Sequence, residues 1–490
     1  MATTAETTSQ TPAPGGLRRE LRFWETIALS IGIMAPTAAM ALNGVAPAGL
    51  IGRAVPLAFL FAAIAIAFVS YSFIRLTRHF NHAGSSYALA GVTLGPRAGF
   101  FAGWALMGTY LAFTAASTAE VGLFGYAFLD GTGIWKKPEW IVISLIAAVL
   151  IALVAYGDVK IATRTLLAIE AVSVTLILIL IVWIYAKVIG GTAPTGQHFT
   201  LKPFVPPHGV TLGAIAFASV FGFLSWAGFE GAAALGEETA SPRRNIPAAI
   251  GAAVAVTGAF YVIVMLAQSL GFGIDAAGVK AFAGSGSPLG DLSKKFIASG
   301  FADAINFGAM VSAFASALGT ATGASRILFA LGRDGFATRR LGDASRRTGA
   351  PVNALAVVMA IAVATVIALR IYGTSAANVF FYMGTIGVLS ILVAYIVTNL
   401  GAAKFLVLDR RENPAQLAII AIAIAALVYV LYKNVAGVAY PYKWFPYLVL
   451  AWLVIGAAIV VAAPGLARRI GERLRAEATG DDTSDVAARA

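Results

Sequence analysis

Apolar runs, most of them 18 residues or longer, recur from about residue 25 to about residue 466, separated by short polar connectors rich in Gly, Pro or basic residues. A helix needs about 20 such residues to cross a hydrocarbon core about 30 Å thick. The pattern predicts twelve spans, at residues 25–48, 54–76, 97–129, 139–156, 163–189, 209–236, 246–271, 300–331, 352–371, 377–404, 415–432 and 446–466. The expected fold class is therefore an all-α integral membrane protein. Its membrane domain covers residues 23–466, with polar tails at 1–22 and 467–490.

Composition agrees with this pattern. Of 490 residues 59% are hydrophobic and 12% charged, and the mean hydropathy is +0.83. That is more apolar surface than one soluble core can bury. The first 20 residues, MATTAETTSQTPAPGGLRRE, read as a solvated tail rather than a cleaved leader, because no apolar core stands at the start.

The net charge of +12 changes the picture only through its distribution. With both termini on one side, that side collects 24 of the 35 Lys and Arg, including the dense loop RDGFATRRLGDASRR at 333–347. Basic residues concentrate on the cytoplasmic face. Both termini are thus expected in the cytoplasm of a cell (inner) membrane protein, with membrane lipid and no nucleic acid as partner. The absence of cysteine excludes disulfides, thiolate metal sites and a disulfide-linked accessory subunit. No His, Asp and Glu cluster with metal-ligand spacing and no nucleophile constellation is visible, so no cofactor, no metal and no enzyme activity are expected.

Two spans are interrupted. The first contains SIGIMAPTAAMALNGVAPAG (30–49), with Gly32, Pro36, Gly44, Pro47 and Gly49; the sixth contains Gly222, Gly228, Gly231 and Gly236. Proline removes a backbone donor and glycine costs about 1 kcal/mol relative to alanine in a helix. If spans one to five and six to ten are equivalent halves, the interruptions fall in corresponding places, the pattern that marks a transporter's midplane site. Close helix packing is the other explanation for such glycines.

Four blocks carry a resemblance to the amino acid/polyamine/organocation superfamily of permeases: GSSYALAGVTLGPRAGFFAGW (84–104), GFEGAAALGEETASPRRNIPAAI (228–250), SRILFALGRDGF (325–336) and APVNAL (350–355). The resemblance implies a five-plus-five inverted repeat of the leucine-transporter type, with discontinuous helices 1 and 6. The repeats would be about 25–189 and 209–404, followed by extra helices at about 415–466. It also implies secondary transport, as a symporter or exchanger, by alternating access.

Carried over, the substrate positions are Ile31, Gly32, Ile33 and Met34 in the first break and Ser225, Trp226, Ala227, Gly228 and Phe229 in the sixth. The first break departs from the glycine-rich form usual in that family. The fifth span also has no lysine between Arg164 and Lys187, where some proton-coupled members carry one near the position of Ser173.

Carboxylates inside spans are costly and mark candidate sites. Glu230, Glu120 and Glu170 are candidates for coupling or gating. For Glu230 the alternative is structural: a carboxylate that accepts from donors freed by the break. Glu170 is expected near the end of its span, within reach of water. Ser316 and Thr320, four apart on one helix face, are a candidate cation site with a carbonyl near Ile31; hydroxyls bonding back to their own helix are the commoner case. Trp226 and Phe229, with Tyr110, Phe381 and Tyr382 from other spans, are candidate pocket walls, and Glu237 and Glu238 with Arg243 and Arg244 are candidates for an inside gate.

The preferred substrate is an amino acid, with a polyamine or other organic amine as the alternative, and the coupling ion a proton or sodium. A sensor or channel is the competing class. No span carries a sustained polar stripe of the kind a pore requires.

Overall fold

The computed structural model describes residues 23–80, 86–157, 159–235, 239–333, 338–345, 348, 350–409, 413–465, 468, 469 and 472. The expected tails and Gly236, Glu237 and Glu238 lie outside the described residues or nearly so. Eleven helical stretches among the described residues are long and apolar enough to cross a membrane, and Trp140–Tyr156, with 17 residues, is a shorter apolar helix between the third and fourth. The chain is a multi-pass membrane protein.

The first span is two helices, α1 (Phe23–Ile33) and α2 (Pro36–Leu42), followed by the short α3 (Val45–Ile51). Then come α4 (Val55–His79), α5 (Ser86–Leu94), α6 (Pro96–Thr132), α7 (Trp140–Tyr156) and α8 (Val159–Ile189). The next span is again divided: α9 (Leu212–Ala218) and α10 (Val220–Trp226) run to a break, beyond which Phe229–Leu235 forms a tighter 3-10 helix. Completing the chain are α11 (Pro242–Phe272), α12 (Ala276–Ala283), α13 (Pro288–Phe296), α14 (Ser299–Arg333), α15 (Val352–Ile371), α16 (Ala376–Ala402), α17 (Gln416–Lys433) and α18 (Phe445–Ala462).

Local chemistry explains both divisions. Pro36 has no N–H to continue α1 and disfavours a right-handed helical Ala35, which instead sits at φ 46°, ψ 60°. Gly228 sits at φ 103°, a region that side chains resist and glycine enters freely.

The core centres on α6, a helix of 37 residues and so about 55 Å long, which α14 and α16 flank. A second close pair is α4 with α11, and α1, α10 and the 3-10 helix at 229–235 pack beside it. Helices α17 and α18 are peripheral, and few of their residues are buried. A reciprocal pair fastens α18 to α6: Trp104 Nε1 donates to the Trp452 carbonyl at 2.8 Å and Trp452 Nε1 to the Trp104 carbonyl at 2.9 Å. Their rings stack at 4.5 Å and 15°.

Candidate functional site

The two breaks meet each other. A β-carbon on Gly228 would stand 2.7 Å from Ile33 Cγ2, and one on Gly231 would stand 2.5 Å from Ile33 Cδ1. Ser30 Oγ donates to the Phe229 carbonyl at 3.2 Å. The last turn of α1 therefore lies directly on the second break, and small residues permit that approach.

Further along the first span, the polar link continues. Asn43 Nδ2 donates to Ser225 Oγ at 2.7 Å, the Tyr261 hydroxyl donates to the Ser225 carbonyl at 3.1 Å, and Gln268 Nε2 donates to the Met40 carbonyl at 2.8 Å. Buried polar groups need partners, and the ends of these half-helices find theirs on α10 and α11.

Not all of the break is buried. Ile33 is 47% exposed, and Gly32, Ala227 and Gly228 are partly so. On α14, Gly319 is exposed, and a β-carbon built there would meet no atom within 4 Å. The interrupted backbone is thus partly exposed where the two breaks meet. Backbone freed from helical bonding is tolerated at that depth where protein buries it or it lines a polar cavity.

Of the expected wall residues, Trp226 turns away from that exposed backbone. It is fully buried, donates from Nε1 to Thr257 Oγ1 at 3.1 Å and meets Tyr261 edge-on. Phe229 is buried between Phe73 and Tyr395. Met34 is buried, and Tyr110 packs over Gly323. Phe381 belongs elsewhere: with Val45, Leu50, Asn378 and Tyr442 it lines a separate cavity of about 320 Å³. Tyr382 packs on Tyr442 and Phe445.

The buried charged side chains among the described residues are Glu120, Glu170 and Glu230, all carboxylates. Glu230 Oε2 accepts from the Tyr395 hydroxyl at 2.8 Å, and the backbone of Gly228 and Glu230 lies close to the same carboxylate. Glu170 Oε1 accepts from the Thr37 amide at 2.8 Å, and Ser312 Oγ, close to that carboxylate, accepts from the Ala38 amide at 3.1 Å. The expectation that Glu170 sits near water is corrected: it is 8% exposed, because α8 packs against α2 and α14 there. Glu120, 2% exposed, stands close enough to Glu170 for their charges to interact, and its Oε1 has no hydrogen-bond partner.

Ser316 and Thr320 face α6 rather than the first break. Ser316 Oγ pairs with Ser117 Oγ at 2.9 Å, and Thr320 Oγ1 accepts from Thr114 Oγ1 at 3.2 Å and donates to the Ser316 carbonyl at 2.9 Å. The α14 hydroxyl that reaches the first span is Ser312. Sequence spacing paired Ser316 with Thr320 on that helix instead, and it missed Thr37, Asn43 and Tyr395 altogether. Asn43 carried a usable signal, as an amide side chain in an apolar span.

Comparison with known proteins settles the lineage. The profile described as amino acid permease matches residues 25–467. The chain belongs to the amino acid permease family. Among relatives of this permease, the branched-chain amino acid permease BcaP of Lactococcus lactis is 25% identical over 66% of this chain and 70% of its own. An uncharacterized transporter of Mycobacterium tuberculosis is 26% identical over 96% of each chain. The low-affinity putrescine importer PlaP of Escherichia coli K12 is 24% identical over 65% of this chain and 68% of its own. The permease is thus a transporter rather than an enzyme.

Proposed function

We propose that this permease is a secondary active transporter, a symporter or exchanger, that moves small solutes bearing an amino group, amino acids or organic amines, by alternating access about its two breaks. The observation that carries the reading is the juxtaposition of two interrupted helices in mid-span, Ile33 lying on Gly228 and Gly231, partly exposed where they meet and with carboxylates as the buried charges. Upstream of each break the helix presents its C-terminal end, the negative pole of its dipole, which suits a cationic group. The names of BcaP and PlaP, an amino acid permease and a putrescine importer, support both substrate classes.

Twelve spans in two inverted halves fit the same reading. The close pairs α4 with α11 and α6 with α14 join elements at equivalent places in the two halves, which supports a five-plus-five repeat. The basic loops favour a cytoplasmic membrane with both termini inside. Protons or exchange supply the driving force: Ser316 and Thr320, the hydroxyls proposed for sodium, are engaged with α6.

Purified permease in liposomes tests this directly. Counterflow of a labelled amine or amino acid is expected from a panel spanning both classes, and an imposed proton gradient is expected to change net uptake more than a sodium gradient does. Absence of counterflow across the whole panel would refute the transporter mechanism proposed.

A further inference from the structure

The cavity of about 320 Å³ lies apart from the breaks, and none of residues 31–34 or 225–229 is among its walls. It forms where four elements come together: Gly49 and Leu50 in the last turn of α3, Ala283 at the end of α12, Asn378 and Phe381 near the start of α16, and Tyr442 just before α18. Gly49, Leu50 and Asn378 are exposed, so the space is open to solutes. Its volume is at the lower end of what takes a small organic molecule, about 300–1,000 Å³.

The walls decide which molecule. None of the lining side chains is charged. Tyr442 belongs to an aromatic cluster, with Phe217, Phe221, Tyr382 and Phe445 packed edge-on at 5.1–6.5 Å, and Phe381 meets Phe221 edge-on at 5.3 Å. An aromatic face attracts a cation. Lysines near this end of the bundle already lie over other rings, Lys443 over Trp444 at 5.5 Å and Lys433 over Tyr432 at 5.3 Å. Among the described residues no Lys or Arg lies over Phe381 or Tyr442. A carboxylate, by contrast, finds no basic side chain in the walls. The N-terminus of α16 beside the cavity is capped from within, because Ser375 Oγ accepts from the Asn378 amide at 3.3 Å.

We propose that this cavity is a second binding site, separate from the breaks, for an organic monocation with an aromatic or apolar body, an arylalkylammonium. The body fills the space beside Leu50, Ala283 and Phe381. The ammonium is held by the Tyr442 ring and by the side-chain oxygen of Asn378, which accepts its N–H. The site stands on the cavity alone and does not depend on the transporter reading.

Photolabelling of the purified full chain with 2-(4-azidophenyl)ethylamine tests it, with adducts mapped by peptide mass spectrometry. Labelling is expected in the segments that carry Gly49, Ala283, Phe381 and Tyr442. Three competitors share one body: 2-phenylethylammonium should protect those segments best, neutral 2-phenylethanol less, and 3-phenylpropanoate least. Tyr442→Leu keeps apolar bulk but removes the ring, and should weaken protection by the ammonium about two- to thirtyfold, the range of one cation–π contact. Gly49→Leu fills the cavity instead, and its β-carbon meets only the Ala283 β-carbon, at 3.8 Å. It should abolish labelling there even if the tyrosine variant fails to fold. Adducts confined to the breaks, cavity labelling that survives Gly49→Leu, or protection by the alcohol or the carboxylate equal to that by the ammonium would each overturn the proposal.

Discussion

At the first break the left-handed residue is an alanine, Ala35 at φ 46°, and at the second it is a glycine, Gly228 at φ 103°. The carboxylates differ too. Glu230 lies within two residues of its own break, whereas Glu170 arrives from α8, 133 residues away in sequence from the Thr37 amide that it receives. A local cap travels with the segment it caps. A remote one does not. The two breaks look alike in sequence, yet the Thr37 amide at the first is held by a carboxylate from another helix, whereas the carboxylate at the second belongs to the interrupted segment itself.

Substitutions at each break probe that asymmetry. The largest effect is expected for Glu230→Ala, which strands the buried Tyr395 hydroxyl and leaves a cavity where the carboxylate stood. An unsatisfied buried donor costs about 1–3 kcal/mol and the cavity adds to that, read as a lowered melting midpoint in detergent. A midpoint within a degree of wild type would remove Glu230 from its capping role.

Gly228→Ala comes next. A side chain at φ 103° costs roughly 1–3 kcal/mol, and its β-carbon would also press on Ile33 at 2.7 Å. Uptake should be lost with the fit between the two breaks. The smallest effect is expected for Ala35→Gly, since relief of about 1 kcal/mol of left-handed strain is offset by a similar gain in the freedom of the unfolded chain. Melting should stay close to wild type. Equal damage from Gly228→Ala and Ala35→Gly would mean that backbone conformation does not distinguish the breaks.

The helical elements were largely legible, because apolar runs and their Gly and Pro interruptions are local signals. The breaks fall at Met34–Ala35 and Ala227–Gly228, inside the Gly- and Pro-rich stretches of the first and sixth spans and next to or within the segments 31–34 and 225–229 that the family resemblance implied. The partners of the buried carboxylates were not legible. Nothing near LLAIEAVS indicates that Glu170 will meet Thr37, and Tyr395 is one of many aromatics in apolar spans. Trp226 misled for the same reason: its neighbour Ala227 faces the break, but the indole follows the curve of α10 back toward Thr257. Side-chain direction at the end of a helix depends on packing across the bundle, which spacing along the chain does not encode.

The interlocked indoles of Trp104 and Trp452 bear on biogenesis. Their donors and acceptors are separated by 348 residues, and a ribosome adding about 5–20 residues per second needs roughly 20–70 s to deliver the second after the first. For that interval the nascent protein holds α6 in the bilayer before Trp452 has been made, and Gly108 and Gly456, which lie against the two rings, mark the berth that α18 fills. A chain released before α18 is made therefore leaves the seam of α6, the longest of the described helices, without the Trp452 half of this pair.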